Sequence, residues 1–422
     1  MNARARLTPY ALLGVLTLGT GLGFGLGLSE APSAEPAANH QAHGPEAKTI
    51  PSRATTTPMS SWSITPTPTL SSSGSNFNAV FCLSASVCTA VGNDGGATLM
   101  ETWNGSAWSI VPSPNPKAAP GWSSAPFLSS VSCLSASACL AVGYVDNEPN
   151  PYNSEGTQPE PSQTFAETWN GSAWSIAATT ADDSGGLNSV YCLSVSDCIA
   201  VGGGLGNGGT GGEPLVETWN GSVWSIGENP ESAAGGLNSV YCVSASVCFA
   251  VGGTVKNPNL PTYQTLAEEW NGLSWKVVPS PTPKTDPDGA VLNSVYCMSK
   301  SSCTAVGGNA PGEPGDPEGP LVEHWNGSAW SIVSTPDPSQ RLYGATLKSI
   351  SCVSGIACTA VGARLFDDGP LVEHWNGSAW SIVSTAPSDD QIGLISVSCS
   401  STSACTAVGY GGPSGPLVES TR

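Results

Sequence analysis

Residues 371–382 read LVEHWNGSAWSI, and this stretch decides the fold because the chain repeats it. Asn-Gly at its centre is the strongest short hairpin signal, since both residues accept a positive φ. The stretch therefore predicts two strands, L-V-E-x-W and A-W-S-I, joined by a tight turn. Copies, one of them looser, recur at five other places: residues 99–110, 165–176, 215–226, 266–277 and 321–332.

Cysteines supply a second repeated pattern, because all 14 fall in pairs separated by five residues. A short β-branched or aromatic run precedes each pair, and Ala-Val-Gly follows it. First cysteines lie 47 to 59 residues apart, which is a spacing typical of stacked supersecondary units. The pairs are Cys82/Cys88, Cys133/Cys139, Cys192/Cys198, Cys242/Cys248, Cys297/Cys303, Cys352/Cys358 and Cys399/Cys405.

The two patterns together give four strand candidates per module and seven modules, which predicts an all-β, seven-bladed β-propeller. The two ends of the array support a closed ring. The last module stops after Leu417-Val418-Glu419 without its W-S-I strand, while an unpartnered Ser61-Trp62-Ser63-Ile64 precedes the first cysteine pair. The N-terminal strand is therefore expected to complete the last blade, which leaves no open edge.

In such a ring the cysteine turns and the Asn-Gly turns lie on one face, and the longer connections lie on the other. We call the first the turn face and the second the variable face. Variable loops on a rigid scaffold commonly carry binding. Six aromatic residues there are the candidate platform for a sugar or a peptide, although loops packing on themselves would explain them equally: Trp122, Tyr144, Tyr152, Tyr263, Tyr343 and Phe366.

Gly105-Ser106-Ala107-Trp108 and its copies resemble degenerate Asp-box (BNR-type) repeats, whose G-x-x-W turn joins the third and fourth strands of a propeller blade. The resemblance covers this one turn of each module. Tryptophan, as at Trp103 and Trp375, replaces the aspartate of the box, so the match is partial. Sialidases and many non-catalytic propellers carry such boxes, and the resemblance implies a fold without implying an activity.

The amino terminus predicts export. Arg4 and Arg6 precede an uncharged run over residues 8–28, and small residues follow it, as in a signal peptide. The run is also near the length of a membrane span, so an uncleaved anchor is the alternative. We expect a signal peptide at residues 1–31, a linker rich in Ala, Pro, Ser and Thr at 32–58, and the propeller at 59–422.

Charge narrows the choice of partners. The net charge is −19, with only 13 Lys and Arg residues. Nucleic acids and anionic membrane surfaces are both bound largely through basic residues, so neither is expected as a partner. We expect a secreted or surface-displayed monomer that contacts a membrane only through an N-terminal anchor.

Export and an even cysteine count favour structural disulfides over metal sites, because no histidine accompanies the pairs. No cofactor is expected, and calcium at acidic loop clusters is the one ion left open. Those clusters, which lack a recognised loop signature, are Asp286/Asp288, Glu313/Asp316/Glu318 and Asp367/Asp368.

A glutamate recurs at one position of every module, and the sequence allows two interpretations of it. A repeated contact within the ring is preferred, because stacked units need one at each interface. A ring of shallow sugar sites is the alternative, although no Lys or Arg recurs beside the acid. The residues are Glu101, Glu167, Glu217, Glu268, Glu323, Glu373 and Glu419.

Three functions remain open. The preferred hypothesis is a non-catalytic propeller that binds a glycan or protein through the variable face. A sialidase-like glycoside hydrolase is the second, although such enzymes use an arginine trio and the exported chain offers only Arg53, Arg341, Arg364 and Arg422. No catalytic residue is therefore assigned. A purely structural surface module is the third.

Overall fold

The structure of the protein is a computed structural model. The chain divides into residues 1–56 and a compact unit at residues 57–422. The predicted signal peptide and linker lie outside the described residues. The structure describes residues 61–68, 70, 74–117, 122–149, 160–180, 185–203, 213–227, 235–255, 262–283, 289–309, 319–336, 338, 344–364, 369–386, 393–411 and 415–421.

Twenty-eight strands form seven four-stranded antiparallel sheets. Blade 1 consists of β2 Asn76–Ser84, β3 Val87–Asp94, β4 Ala97–Trp103 and β5 Trp108–Ile110. Blade 2 consists of β6 Trp122–Ser135, β7 Ala138–Pro149, β8 Glu160–Trp169 and β9 Trp174–Ala177. Blade 3 consists of β10 Leu187–Ser194, β11 Asp197–Gly203, β12 Pro214–Trp219 and β13 Trp224–Ile226.

Blade 4 consists of β14 Gly235–Ser244, β15 Val247–Val255, β16 Tyr263–Trp270 and β17 Trp275–Val277. Blade 5 consists of β18 Ala290–Ser299, β19 Ser302–Asn309, β20 Pro320–Trp325 and β21 Trp330–Ile332. Blade 6 consists of β22 Ala345–Ser354, β23 Ala357–Arg364, β24 Pro370–Trp375 and β25 Trp380–Ile382. Blade 7 consists of β26 Gly393–Ser401, β27 Ala404–Tyr410, β28 Pro416–Ser420 and β1 Ser63–Ile64. These seven sheets confirm the prediction of an all-β, seven-bladed propeller. Among the described residues, no helix is long and apolar enough to span a membrane.

Blade 7 closes the ring with the two ends of the chain. Strand β1 pairs antiparallel with β28, with Ser63 opposite Ser420 and Ile64 opposite Glu419. Trp62 is only 3% exposed and joins the core of this blade. Thr421 follows β28 at the position held by a tryptophan in the other blades, and its hydroxyl accepts a hydrogen bond from the Cys405 backbone N–H at 3.0 Å. The predicted closure is confirmed.

The hydrophobic core lies between blades, not at one centre. Each of seven buried clusters combines residues of neighbouring sheets, as where Leu140 and Val142 of blade 2 pack with Leu187 and Val190 of blade 3. Strands that carry side chains into two different interfaces must be apolar on both faces. This requirement explains the unbroken buried run around each Ala-Val-Gly, as at Ala200 and its neighbours.

The glycine of Ala-Val-Gly permits a close backbone approach between the first two strands of each blade. A β-carbon on Gly202 would overlap the backbone oxygen of Gly186. The same overlap recurs in the other six blades, for example between Gly307 and Val291. Only glycine fits at such a position.

Serine hydroxyls bind the free edge of the innermost strands. The hydroxyl of Ser189 in blade 3 accepts a hydrogen bond from the Val240 N–H of blade 4 at 3.2 Å. Ser239 accepts one from Val295 of blade 5 in the same way, also at 3.2 Å. These serine hydroxyls thus accept hydrogen bonds from backbone N–H groups of the innermost strands, which have no further strand beside them. The inner edge of the sheet is therefore not left without hydrogen-bond partners.

Candidate functional site

The two kinds of hairpin meet on the turn face. In blade 1 the indole N–H of Trp103 donates a hydrogen bond to the Ala85 carbonyl at 3.2 Å, which ties the Asn-Gly hairpin to the cysteine turn. The Asn104 side-chain oxygen accepts backbone hydrogen bonds from Ser106 at 2.9 Å and Ala107 at 3.0 Å. Gly105 has φ +94°. The Asn-Gly-Ser sequence is therefore accounted for by turn geometry.

The seven cysteine pairs form seven disulfides, as predicted. In blade 3 the two cysteines lie directly opposite each other on adjacent strands, so the bond fastens the innermost hairpin of the blade. Such bonds persist in oxidising compartments. The disulfides are Cys82–Cys88, Cys133–Cys139, Cys192–Cys198, Cys242–Cys248, Cys297–Cys303, Cys352–Cys358 and Cys399–Cys405.

The second cysteine of every pair is buried in the core between blades, and each belongs to a different one of the seven apolar clusters. The pairing leaves no cysteine free. These residues therefore belong to the packed scaffold, in agreement with the structural role expected for the disulfides. They are Cys88, Cys139, Cys198, Cys248, Cys303, Cys358 and Cys405.

The structure gives no support for a metal site among the described residues. The described residues contain no group of three His, Cys, Asp or Glu side chains arranged to hold a metal ion. Asp286, Asp288, Glu313, Asp316, Glu318, Asp367 and Asp368, which form the acidic loop clusters, lie outside the described residues. Calcium at those clusters stays a prediction.

The structure describes only part of the aromatic platform predicted on the variable face. Tyr152, Tyr343 and Phe366 lie outside the described residues, and Trp122 is placed only as the first residue of β6. Of the six aromatic residues, Tyr144 and Tyr263 have described side chains.

Tyr144 is half-buried in blade 2, and its ring stacks on Phe127 at a centroid distance of 5.0 Å. Tyr263 is half-buried in blade 4 and forms a bridge to Gly289. The two tyrosines thus belong to different blades, and each has neighbours of its own. Their part in binding stays a prediction.

The repeated glutamates are fully buried where neighbouring blades meet. Ser113 follows the last strand of blade 1, and its hydroxyl donates to the Glu167 carboxylate of blade 2 at 2.7 and 2.9 Å. Ser280, which follows blade 4, donates to Glu323 of blade 5 at 2.9 Å. This geometry favours the structural interpretation, because a carboxylate inside the ring is out of reach of a sugar.

Burial changes the protonation of these acids. It raises the pKa of Glu101 and Glu268 to about 7, and neither has a hydrogen-bond partner within the described part of the chain. Burial also raises the pKa of Glu167, Glu323 and Glu419 to about 7, although hydrogen bonds to these three act in the opposite direction. Desolvation dominates because it penalises the charged form.

Among the spaces that the described residues line between blades, two are open grooves on the turn face. One, of about 230 Å³, lies between blades 2 and 3 and is bordered by Leu134, Trp169 and Val195. The other, of about 270 Å³, lies between blades 5 and 6. Trp169 is half-buried and Val195 is 65% exposed, so both line a surface that solvent reaches.

The groove between blades 5 and 6 is mainly apolar. Tyr296 and Met298 of the innermost strand form one wall, and Trp375 of blade 6 forms the other. Met298 is 41% exposed, which places it at the mouth. His324 is half-buried beside these residues, and burial lowers its pKa, so its imidazole is neutral at pH 7.

A row of tyrosines leads into this groove from the inner strands of blades 3 to 5. The ring centroids of Tyr191 and Tyr241 are 4.6 Å apart, and those of Tyr241 and Tyr296 are 4.5 Å apart. Burial raises the pKa of Tyr191 and Tyr241, so both phenols stay neutral at physiological pH. Tyr296, at the end of this row, is the tyrosine that lines the groove.

Sequence reasoning missed the grooves. The tryptophans that border them recur in every full module, a pattern that indicates blade packing, and most of their surface does serve that purpose. The available signal was variation at one position: the residue after the second cysteine is Thr89, Leu140, Ile199, Phe249, Thr304, Thr359 or Thr406. This residue faces the neighbouring blade, and it lines both grooves, as Leu140 between blades 2 and 3 and as Thr304 between blades 5 and 6.

The chain matches no protein-family model and no curated protein sequence. Solved structures are similar in fold. One is "YCF48 bound to D1 peptide", with a TM-score of 0.52, 10% identity and coverage of 86% of this chain and 99% of that chain. Another is "YCF48 from Cyanidioschyzon merolae", with a TM-score of 0.50, 14% identity and coverage of 86% and 99%. At such identities the likeness shows that this chain has a β-propeller fold.

Proposed function

We propose that this chain is a secreted or surface-displayed, non-catalytic β-propeller that binds a protein partner through the grooves of its turn face. The observation that carries the proposal is the pair of apolar grooves, with Trp169 and Trp375 partly exposed in their walls. Aromatic residues and methionine are enriched at protein interfaces. A YCF48 structure of the same fold is described as bound to a D1 peptide, so peptide binding is within the reach of this architecture.

An extracellular location is supported by two features of the chain. The seven disulfides suit an oxidising compartment. The uncharged run at residues 8–28, preceded by Arg4 and Arg6, suits an export signal. Together they favour secretion or display at the cell surface.

Binding is favoured over glycoside hydrolysis by the position of the acids. A glycosidase needs two carboxyl groups that flank a bound sugar. The repeated glutamates, such as Glu167 and Glu323, are 0% exposed and face other protein atoms, so they cannot meet a substrate. Arg364 is the one arginine in the described part of the chain, whereas a sialidase-like site would use three.

We infer that the Asp-box-like turns are structural as well. Asn104 and Gly105 are both engaged in closing the hairpin, by side-chain hydrogen bonds and by a positive φ respectively. The same bonds recur at Asn326 and Asn376. Because the same hydrogen bonds recur in several blades, these residues stabilise the propeller scaffold and do not form one particular binding site.

A direct test is to display a random peptide library against the immobilised full-length protein and to probe a glycan array in parallel. We expect enriched peptides and no glycan signal. Trp169→Ala and Trp375→Ala should weaken peptide binding, and Tyr144→Ala on the variable face serves as the control. Glycan binding that is lost in Tyr144→Ala would contradict the proposal, and so would an absence of any enriched peptide.

A further inference from the structure

One position distinguishes the groove between blades 5 and 6 from the interface before it in the ring. In the groove between blades 4 and 5, Phe249 is fully buried, with its ring centroid 5.6 Å from that of Trp325. Thr304 occupies the same register one blade later. Phe249 lies opposite Tyr241 on the innermost strand, and Thr304 lies opposite Tyr296.

The tryptophan walls of the two grooves are alike. Trp325 and Trp330 have ring centroids 5.8 Å apart and planes at 44°, and Trp375 and Trp380 have 5.8 Å and 43°. Trp325 is 5% exposed beside Phe249, whereas the corresponding Trp375 is only half-buried. Thr304, Trp375 and Trp380 line a cavity of about 270 Å³, and this cavity includes the position that the phenyl ring of Phe249 occupies in the neighbouring interface.

We propose that the groove between blades 5 and 6 binds an aromatic side chain of a basic peptide segment in a partner protein, with the ring in the place that Phe249 occupies one groove earlier. This inference rests on the proposed function and names the part of the partner that is recognised. An aromatic ring suits the site because aromatic pairs favour tilted or edge contacts at centroid distances of about 4.5–7 Å. Phe249 makes two such contacts, with Trp325 and Trp330.

Charge selects the segment that carries the ring. The residues that line the groove include no carboxylate, and their one titratable imidazole, His324, is neutral at pH 7. Selection by charge therefore comes from the molecule as a whole, whose net charge of −19 attracts cations over a distance. Lysine or arginine next to the aromatic residue would accelerate association, and added salt would slow it.

The groove can be tested with a small probe and with peptides. The probe is N-acetyl-4-fluorophenylalanine amide, observed by ¹⁹F NMR line broadening with the full-length protein; a ligand of this size should bind with a Kd on the order of 1 mM. Thr304→Phe fills the groove as Phe249 does, and Thr304→Ser leaves it open. We expect at least a tenfold weaker interaction with Thr304→Phe and no change with Thr304→Ser.

Thermal unfolding checks that Thr304→Phe is folded. Should it not fold, Thr304→Ile takes its place, because Ile199 is the counterpart of Thr304 in the groove between blades 3 and 4, where it is buried. Broadening that is absent in the wild type, or equal in the folded filled variant, would overturn the inference.

The peptide library separates this inference from the proposed function. Enriched peptides with an aromatic residue beside Lys or Arg, which Thr304→Phe no longer binds, would support both. Peptides that bind Thr304→Phe as tightly as they bind the wild type would support the proposed function. They would refute the inference that an aromatic side chain binds in the groove between blades 5 and 6. Probe binding that depends on Thr304 without any enriched peptide would support the aromatic site and refute a protein partner. Self-association that Thr304→Phe abolishes would identify a second copy as the occupant and overturn the inference.

Discussion

Raising the pH from 5 to 8 should lower the free energy of unfolding of this propeller, because of its buried glutamates. Burial raises the pKa of Glu101, Glu167, Glu268, Glu323 and Glu419 to about 7. Between pH 4.5 and 7 the folded chain therefore keeps protons that the unfolded chain has released. The resulting stabilisation is complete below about pH 4.5 and is lost as the pH rises through about 7.

The size of this effect follows from the pKa values. A rise from 4.5 to about 7 corresponds to ~3 kcal/mol per carboxyl group as an upper value. Relaxation of the protein around an ionised carboxylate reduces this penalty, and we expect roughly 1–2 kcal/mol per group. The five groups together should lower the free energy of unfolding by roughly 5–10 kcal/mol between pH 5 and pH 8, a large change against a typical domain stability of about 5–15 kcal/mol.

Glu268→Gln isolates one group, because an amide does not titrate. The free energy of unfolding is measured by guanidinium unfolding, followed by tryptophan fluorescence, at pH 5, 6, 7 and 8. Its change with pH should be about one fifth smaller in Glu268→Gln than in the wild type, whatever constant effect the amide has on stability. Glu269→Gln is the matched control, since the neighbouring side chain points to the opposite face of the strand and is only half-buried. A free energy of unfolding that stays constant or rises from pH 5 to pH 8 would refute the reasoning.

Three further predictions concern the scaffold. Trp62→Ala should cost roughly 3–5 kcal/mol in guanidinium unfolding, because this 3% exposed ring anchors the closing strand. Replacing Cys192 and Cys198 together by alanine should lower the free energy of unfolding by ~2 kcal/mol, since their disulfide closes a short loop; an unchanged midpoint would contradict this. Gly202→Ala should yield no folded protein, because its β-carbon overlaps a backbone oxygen, whereas Gly319→Ala, with no atom within 4 Å, should fold with a normal circular dichroism spectrum.

Much of the fold was predictable because the repeat is local and strict. Asn-Gly specifies a hairpin within four residues, and two cysteines with five residues between them specify another. Seven copies of the cysteine pair, with Trp62 and Glu419 at opposite ends of the array, predict a closed ring without any long-range information. The disulfides followed from the same spacing.

The candidate site was much less predictable. The prediction of binding on the variable face rested on aromatic residues in loops, and of these the structure describes the side chains of Tyr144 and Tyr263 alone. The grooves of the turn face depend on residues from two blades at once. Thr304 and Trp375 are 71 positions apart and contact the same space only because blades 5 and 6 are neighbours.

The sequence alone therefore determined the architecture of this protein: the number of blades, their strand order, the disulfides and the closure at Trp62. These depend on turns and pairings within one module, and such short-range preferences can be recognised in a repeated pattern. Only the tertiary structure decided which interfaces are filled and which are open. That outcome depends on the volumes of side chains such as Phe249 and Thr304 against the tryptophans of the next blade, because packing responds to the sum of facing residues and not to any one of them.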